Sequence, residues 1–225
     1  MEIKKRQERE DRHLHKNFRK QLVETLKEKG ITDEKVLEAI GTIPRHFFLD
    51  SAFERIAYED RAFPIAADQT ISQPYTVAYQ SQLLQIKKGE KVLEIGTGSM
   101  YQTSVLAALG AKVFTIERQK QLFDLTKAFP FKADYPNVYF HFGDGFEGLP
   151  DHAPFHKIII TAAAPKIPEK LWDQLKVGGK MVIPVDESDD VQRMMRLTKR
   201  KDGTAKKESF EAFSFVPMLE GKTKS

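Results

Sequence analysis

The sequence contains 225 residues, of which 40% are hydrophobic, and its formal net charge at pH 7 is +4. This length and apolar content suit one α/β domain with a small appendage. The absence of cysteine excludes a disulfide framework, a zinc–thiolate site and a cysteine nucleophile.

Charge and hydropathy also limit the partners and the location. The charge is small and spread over both halves, so we expect no nucleic acid partner. The first ten residues are charged or polar with hardly an exception, and they do not form a signal peptide. No apolar run approaches the roughly 20 residues that span a bilayer. We therefore expect a cytoplasmic protein without a membrane partner, and we expect it to be a monomer.

The start of the chain is predicted to be a polar arm followed by a helix. The arm covers residues 1–12 and leads to His13 and His15, which we expect to be solvated. Apolar residues then recur every four positions and predict an amphipathic helix over 17–29, ended by Gly30. They are Phe18, Leu22 and Leu26.

A second short helix is predicted next. Thr32 can cap it and Gly41 can end it. The stretch from Pro44 to Asp50 is a predicted loop with aromatic anchors. Residues 1–60 are therefore predicted to form an N-terminal helical subdomain, packed on the sheet of a larger domain at 61–225.

The rest of the chain predicts a sheet covered by helices. Residues 61–75 contain two prolines and show no clear period, which predicts a loop before a helix at 76–86. Predicted strands then alternate with predicted helices: strands at 91–95, 112–117, 138–142, 156–161 and 181–185, helices at 101–109, 120–129 and 168–175. Two last strands, 192–199 and 206–215, flank the turn signal Asp202-Gly203. This order predicts a doubly wound, Rossmann-like α/β fold, with a mostly parallel sheet, an antiparallel C-terminal edge and strand 156–161 near its centre.

The strand at 91–95 leads into a glycine turn and then a helix. Gly96 and Gly98 leave room beside the turn, and the helix N-terminus directs free N–H groups toward it. A dinucleotide fingerprint would need a third glycine where Tyr101 stands. The next strand ends in Glu117, about twenty residues after the first glycine, where a carboxylate can reach ribose hydroxyls. Together these features predict an adenosyl-type ligand.

Six motifs identify a family. They are Pro-Ile-Ala-Ala-Asp-Gln-Thr-Ile-Ser-Gln-Pro at 64–74, Val-Leu-Glu-Ile-Gly-Thr-Gly-Ser at 92–99, Thr-Ile-Glu-Arg at 115–118, Gly-Asp-Gly at 143–145, Ile-Ile-Ile-Thr-Ala-Ala-Ala-Pro at 158–165 and Leu-Lys-Val-Gly-Gly-Lys-Met-Val-Ile-Pro-Val at 175–185. In this order they closely resemble the protein-L-isoaspartate O-methyltransferases, over about residues 17–219. The Thr-Ile-Ser-Gln-Pro stretch discriminates most, since other S-adenosylmethionine (AdoMet) methyltransferases share the glycine turn and the acid but not this stretch.

The resemblance implies a fold, a cofactor and a reaction. The fold is that of the AdoMet-dependent methyltransferases, and AdoMet is the cofactor. The family methylates the free carboxylate of an L-isoaspartyl residue, or of a D-aspartyl residue, in damaged proteins. The ester then collapses to a succinimide, which reopens partly as normal aspartate and so initiates repair. The implied partners are therefore proteins and peptides that contain isoaspartate.

The resemblance also implies site residues. Those that hold the cofactor are Thr70, Ile71, Ser72, Gly96, Thr97, Gly98, Ser99, Glu117, Arg118, Asp144, Gly145, Thr161 and Ala162. Among them, Glu117 accepts from both ribose hydroxyls, and the Asp144 carboxylate accepts from the adenine amine. Residues implied at the substrate are Ser72, Ala163, Ala164, Val216 and Pro217. Ser72 is the implied catalytic residue, which orients the substrate carboxylate by its hydroxyl.

Two positions depart from the family pattern. Met100 stands where the family usually has glycine, and its side chain is expected to narrow the methionine end of the pocket or to alter the entry of the helix. Tyr75 stands where many members carry histidine. Both departures bear on substrate range more than on cofactor binding.

Other functions stay open at this point. RNA methyltransferases share much of the cofactor half, although an Asn-Pro-Pro-Tyr-type motif is absent. A catalytically silent AdoMet-binding protein is a second alternative, because of Met100. His152 and His156 have a metal-ligand spacing for a helix, but Pro154 between them argues against a helix, and we expect no metal site.

Overall fold

The computed structural model describes residues 10–188 and 191–223, without the side chains at 187 and 188. Residues 1–9 of the predicted polar arm lie outside the described residues. The α-helices are α1 (His13–Glu28), α2 (Glu34–Thr42), α3 (Pro74–Leu84), α4 (Tyr101–Ala108), α5 (Lys120–Leu125) and α6 (Glu169–Asp173). The strands are β1 (Phe63–Pro64), β2 (Thr70–Ile71), β3 (Lys91–Ile95), β4 (Lys112–Glu117), β5 (Val138–Phe142), β6 (Phe155–Ile160), β7 (Leu175–Ser188), β8 (Val191–Lys199) and β9 (Ala205–Phe213). Short 3-10 helices cover Arg45–Phe48, Ser51–Phe53, Thr126–Ala128 and Pro150–His152.

Strands β3 to β9 form one sheet in the order β5-β4-β3-β6-β7-β8-β9. The first five of these pair in parallel, and β8 and β9 add an antiparallel edge. The chain runs outward from β3 to β5 and then returns to β6 on the other side of β3, so the strand order reverses between β3 and β6. The predicted doubly wound fold with an antiparallel edge is confirmed. Sheets of this kind bind ligands at the carboxyl ends of the strands where the order reverses.

The central strand β6 is apolar because both of its faces are covered. Phe155, Ile158, Ile159 and Ile160 are fully buried, as expected for a parallel strand between layers of helices. Strand β7 is longer than the prediction of 181–185, because β6 pairs along one side of it and β8 along the other. The prediction was too short because only the central part of β7, which is buried on both faces, has an apolar sequence.

The N-terminal helices differ in detail from the prediction. Helix α1 begins at His13, and the expectation that His15 is solvated is wrong: His15 is 3% exposed, with its ring centroid 3.9 Å from that of His46. Its Nε2 atom lies 3.1 Å from Glu54 Oε1. These long-range partners replace water around the imidazole and so compensate for the hydration that it loses on burial.

Helix α2 is capped by Asp33 and not by Thr32. The Asp33 carboxylate accepts from the N–H groups of Lys35 and Val36, at 3.0 and 3.3 Å. Gln82 Oε1 of α3 accepts from the N–H groups of Thr32 and Asp33 at 2.7 and 2.9 Å, so α3 holds the residues that lead into α2. The predicted end at Gly41 is early by one residue.

Three further boundaries shift. The predicted loop at 61–75 contains the antiparallel pair β1 and β2. Helix α3 begins at Pro74, since proline lacks the N–H that is unused in a first helical turn. Helix α5 ends early and continues as the 3-10 turn Thr126–Ala128.

The N-terminal helices share a hydrophobic core with the helices beside the glycine turn. One buried cluster joins Leu22 and Ile40 to Val77 of α3 and Val105 of α4. Within residues 10–188 and 191–223, no helix is long and apolar enough to cross a membrane.

Candidate active site

A cleft lies at the carboxyl ends of β3 and β4, beside the point where the strand order reverses. It holds about 890 Å³ of empty space, counted out to its open mouth. Its walls come from the residues that follow β2, β3, β4 and β6, and from a C-terminal segment at 216–219. The topology therefore brings to one place segments that are far apart in the sequence.

The glycine turn after β3 forms the floor of the cleft. Gly96 has φ of 95°, and a Cβ atom on it would lie 2.5 Å from Thr161 Oγ1. The Thr161 hydroxyl lies 2.9 Å from the carbonyl oxygens of both Ile95 and Gly96. Only glycine fits this close approach between the turn and the end of β6, so the turn presents backbone rather than side chains to a ligand.

Glu117 stands at the end of β4 and faces the cleft. Its Oε2 accepts from the Gly98 N–H at 2.9 Å, and its Oε1 accepts from the Gln119 N–H at 2.8 Å. Burial raises the pKa of this carboxyl, while these backbone N–H groups act in the opposite direction. Each oxygen keeps a free lone pair, so the fixed carboxylate can accept from two hydroxyls of a ribose.

Ser72 directly follows β2 and also lines the cleft, and its surroundings fix the backbone there. Asp60 Oδ1 accepts from the Tyr75 N–H at 2.7 Å, and Asp60 Oδ2 accepts from Gln73 Nε2 at 3.1 Å. Lys29 forms an ion pair with the same carboxylate at 2.6 Å. Among the described residues no side chain or backbone group bonds to the Ser72 hydroxyl, so it is available to a ligand in the cleft.

The C-terminal strap, residues 216–223, crosses the cleft beside Glu117. Its Val216 and Met218 pair with Ala163, at 2.8 and 2.6 Å. Farther along, the Gly221 N–H donates to Asp144 Oδ2 at 2.6 Å, and Arg118 Nε donates to the Gly221 carbonyl at 3.1 Å. The strap thereby closes the cleft on the side where the Glu117 carboxylate lies.

These groups together fit an adenosyl ligand. A turn with two glycines lies beside the N-terminus of α4, a fixed carboxylate suits a ribose diol, and the free Ser72 hydroxyl belongs to the same cleft. A family model described as protein-L-isoaspartate(D-aspartate) O-methyltransferase (PCMT) matches residues 16–223. The chain belongs to this family. The predicted family, enzyme class and AdoMet cofactor are confirmed by this membership.

Relatives in this family cover almost the whole chain. A protein-L-isoaspartate O-methyltransferase of Christiangramia forsetii is 60% identical over 212 residues, which are 94% of this chain and 99% of the relative. One of Flavobacterium johnsoniae is 56% identical, again over 94% of this chain and 99% of the relative.

Solved structures of the same family share the fold. One protein-L-isoaspartate O-methyltransferase superposes with a TM-score of 0.79 and 27% identity, and the match covers 88% of this chain and 65% of that one. A Plasmodium falciparum protein of the same description, in complex with S-adenosyl-L-homocysteine, gives a TM-score of 0.76 at 27% identity, over 91% of this chain and 98% of its own. The predicted methyltransferase fold is confirmed.

The structure brings most residues that were predicted for the PCMT site into the cleft. Those that line it are Thr70, Ile71, Ser72, Gly96, Thr97, Gly98, Ser99, Glu117, Arg118, Gly145, Thr161, Ala162, Val216 and Pro217. Their individual roles stay predictions.

Three predicted residues stand behind the lining. The Asp144 carboxylate, predicted to accept from adenine, accepts from the N–H groups of Phe146 and Gly221. Ala163 and Ala164 are 3% and 0% exposed, and their N–H groups donate to Val216 and Pro184 carbonyls. In this structure these residues hold the walls of the cleft in place.

The expectation that Met100 narrows the pocket is wrong. Its side chain is 2% exposed, lies in the hydrophobic cluster with the N-terminal helices and does not line the cleft. Its backbone, at φ of 72°, has a left-handed conformation at the start of α4. Glycine takes this conformation without strain, which gives a physical reason for the glycine usual in the family.

Several lining residues were not predicted. They are Gln69, Val77, Ile95, Tyr101, Gln102, Ile116, Gln119, Leu122, Met218 and Leu219. Tyr101 and Gln102 begin the helix after the glycine turn, so their position in the motif was a usable signal. Met218 and Leu219 directly follow Val216 and Pro217, which the family resemblance did place at the substrate, so the signal for this segment was the resemblance and not a local pattern.

Proposed function

We propose that this chain transfers the methyl group of AdoMet to the free carboxylate of L-isoaspartyl residues, and of D-aspartyl residues, in damaged proteins. The observation that carries the proposal is the cleft itself, which is lined by both Ser72 and Glu117. The chain that forms this cleft belongs to the PCMT family.

AdoMet supplies, when bound, a methyl group on a positively charged sulfur. Glu117 and the turn Gly96–Ser99 would hold the cofactor by its ribose and methionine parts. The substrate carboxylate is ionised at neutral pH and needs no strong general base. The task of the protein is therefore to place one oxygen in line with the methyl carbon and to exclude water.

Ser72 has the position for this task. Its hydroxyl can donate to one oxygen of the substrate carboxylate and leave the other oxygen free to attack. Apolar side chains of Ile71 and Val77 line the same wall, which would keep the reacting atoms dry.

A second, open groove would hold the peptide. Thr70 and Val216 line both the cleft and this groove, so the two spaces adjoin. The far wall contains Tyr75, Phe213 and Phe215. Strand β9 is the last strand of the sheet, so within the described residues the edge of 211–213 that faces away from β8 has no strand partner. This open edge supports binding of an extended peptide.

The proposal extends to the state of the enzyme. We infer that the protein is a monomer and that it acts in the cytoplasm. We also infer that it has no nucleic acid partner, because its net charge is only +4. Size-exclusion chromatography with light scattering tests the monomer, since a dimer would elute at twice the mass of 25.8 kDa.

One assay tests the function. The protein is incubated with labelled AdoMet and matched peptides that contain L-isoaspartate, D-aspartate or L-aspartate at one position. We expect base-labile label on the first two and none on the third. Label on RNA in a parallel reaction would support an RNA methyltransferase instead. Cofactor binding without any transfer would indicate a silent binding protein.

A further inference from the structure

Arg45 is a buried cation directly behind the Ser72 loop. It is 0% exposed. Its Nε donates to the Ala57 carbonyl at 3.0 Å, and its Nη2 donates to the Ser72 carbonyl at 2.9 Å and approaches the Arg61 carbonyl at 3.5 Å. One planar group thus joins three backbone oxygens on both sides of β1 and β2.

Burial of the charged Arg45 guanidinium is energetically unfavourable. Within the described residues, no carboxylate lies within salt-bridge distance of Arg45, and the charge of the more distant Asp60 carboxylate offsets only part of the effect of burial. Removal of a cation from water is unfavourable unless an anion compensates it. Burial lowers the pKa of the guanidinium to about 10, so the group remains charged at neutral pH. An apolar side chain would fill this space at lower cost, which indicates that the cation serves a purpose beyond packing.

Arg45 also contacts an aromatic ring that lines the cleft. Its guanidinium carbon lies 4.7 Å from the centroid of the Tyr101 ring. Tyr101 lines the cleft at the start of α4, just after the glycine turn. Arg45 therefore contacts two residues that line the cleft: the backbone of Ser72 and the ring of Tyr101, which follows the cofactor turn.

We propose that Arg45 is a positioning residue that sets the distance between the Ser72 hydroxyl and the cofactor turn. This inference rests on the proposed function, in which Ser72 orients the substrate carboxylate. The planar fork of arginine can hold three carbonyls and stack on a ring together, whereas the ammonium of lysine is a point charge that can do neither in the same geometry. The role therefore requires the guanidinium and not only a positive charge.

The test compares Arg45→Lys with Arg19→Lys. Arg19 is a matched control, because it is 4% exposed, belongs to the same N-terminal layer and bonds to Asp11, Gly41 and Tyr58, none of which lines the cleft. Measured quantities are kcat and KM on an isoaspartyl peptide, the Kd for AdoMet by calorimetry and the Tm. Assays are run well below the lowest Tm.

For Arg45→Lys we expect kcat to fall about tenfold or more, with the Kd for AdoMet changed by less than about threefold. For Arg19→Lys we expect a lower Tm and kcat within about twofold of wild type. An equal change of kcat in both variants, or no change in R45K, would overturn the inference. An inactive wild-type protein would instead count against the proposed function.

A double-mutant cycle separates an effect through Ser72 from a general loss of stability. If Arg45 acts through Ser72, Ser72→Ala should reduce kcat much less in the R45K background than in wild type. Additive losses would show that the two residues act independently and would also refute the proposal. Arg45→Gln, which keeps a donor without the charge, replaces R45K in the cycle if R45K does not fold.

Discussion

At the scale of single residues, the cleft divides its work between groups that bind and groups that orient. Glu117 is held by backbone N–H groups on both oxygens, so it is rigid before any ligand arrives. The Ser72 hydroxyl is free, while its backbone is fixed by Arg45 and the neighbouring Asp60 contacts. A rigid backbone with a free side-chain donor is the arrangement expected of a residue that orients a substrate.

Ser72→Ala should therefore lower kcat by about 10- to 100-fold, since a hydrogen bond to a charged group contributes roughly 1.5–3 kcal/mol. AdoMet affinity should stay within about threefold of wild type. Steady-state kinetics on an isoaspartyl peptide and calorimetry with AdoMet measure the two effects separately. Ser51→Ala, at an exposed serine that does not line the cleft, is the control. Equal losses of kcat and of cofactor affinity would contradict the assigned role.

Met100→Gly should affect stability and not activity. The substitution relieves roughly 1 kcal/mol of left-handed strain but removes a buried side chain, which costs roughly 2–5 kcal/mol, so urea unfolding should show a less stable protein. Met100→Ala loses the side chain without relief of the strain at φ of 72°, and it should be less stable still. A tenfold change in AdoMet affinity for either variant would show that this position does shape the pocket.

At the scale of elements, the C-terminal strap is held in two different ways. Near its start, Val216 and Met218 hydrogen-bond to the backbone of Ala163. Beyond Leu219 it is held by hydrogen bonds to Asp144 and to residues 118–120. Thr223 takes part in several of these, through its N–H to the Arg118 carbonyl at 3.0 Å and its hydroxyl to Gln119 Oε1 at 2.8 Å. Such a segment can open by loss of a few exposed hydrogen bonds.

Ending the chain after Leu219 should accelerate AdoMet dissociation by about 3- to 30-fold, because the lost hydrogen bonds contribute roughly 0.5–1.5 kcal/mol each and only some of them close the cleft. Stopped-flow displacement measures this rate. Thr223→Val, which keeps the side-chain shape, should give a smaller acceleration. If both variants release AdoMet at the wild-type rate, the strap does not gate the cofactor.

At the scale of the whole molecule, the local sequence pattern predicted most strands of the sheet correctly. It failed for features that depend on contacts with residues far away in the sequence. Strands β3, β4 and β5 lie where they were predicted, because strand composition and the glycine turn are properties of adjacent residues. The burial of His15 depends on His46 and Glu54, and the N–H of Thr32, just before α2, donates to Gln82, which is 50 residues away. The contacts of the strap with Arg118 and Asp144 and the contact of Arg45 with Ser72 likewise join distant segments, so no short window of sequence contains them. The pairing of β1 with β2 is local, but strands of two residues are too short to show a period. The division of the chain at residue 60 stays a prediction.

The stability of the whole molecule should depend on pH through Glu94, in the middle of β3. This side chain is 0% exposed, and Thr103 Oγ1 donates to its Oε2 at 2.5 Å. Burial raises its pKa to about 8 from 4.5, so at neutral pH the folded protein holds a proton that the unfolded chain has released. Because the folded state binds more protons between pH 4.5 and 8, the free energy of unfolding should fall as the pH rises through this range and level off above it.

Glu94→Gln should remove this dependence, since the amide is neutral at every pH, has nearly the same shape and can still accept from Thr103. We expect wild type to lose a few kcal/mol of stability between pH 5 and 9, at up to roughly 1.4 kcal/mol per pH unit, and Glu94→Gln to lose much less. Urea unfolding at pH 5, 7 and 9 measures the difference, with Glu169→Gln at an exposed acid as the control for removal of one carboxylate. Parallel curves for wild type and Glu94→Gln would mean that Glu94 is ionised in the folded protein, and that the centre of the sheet tolerates a charge.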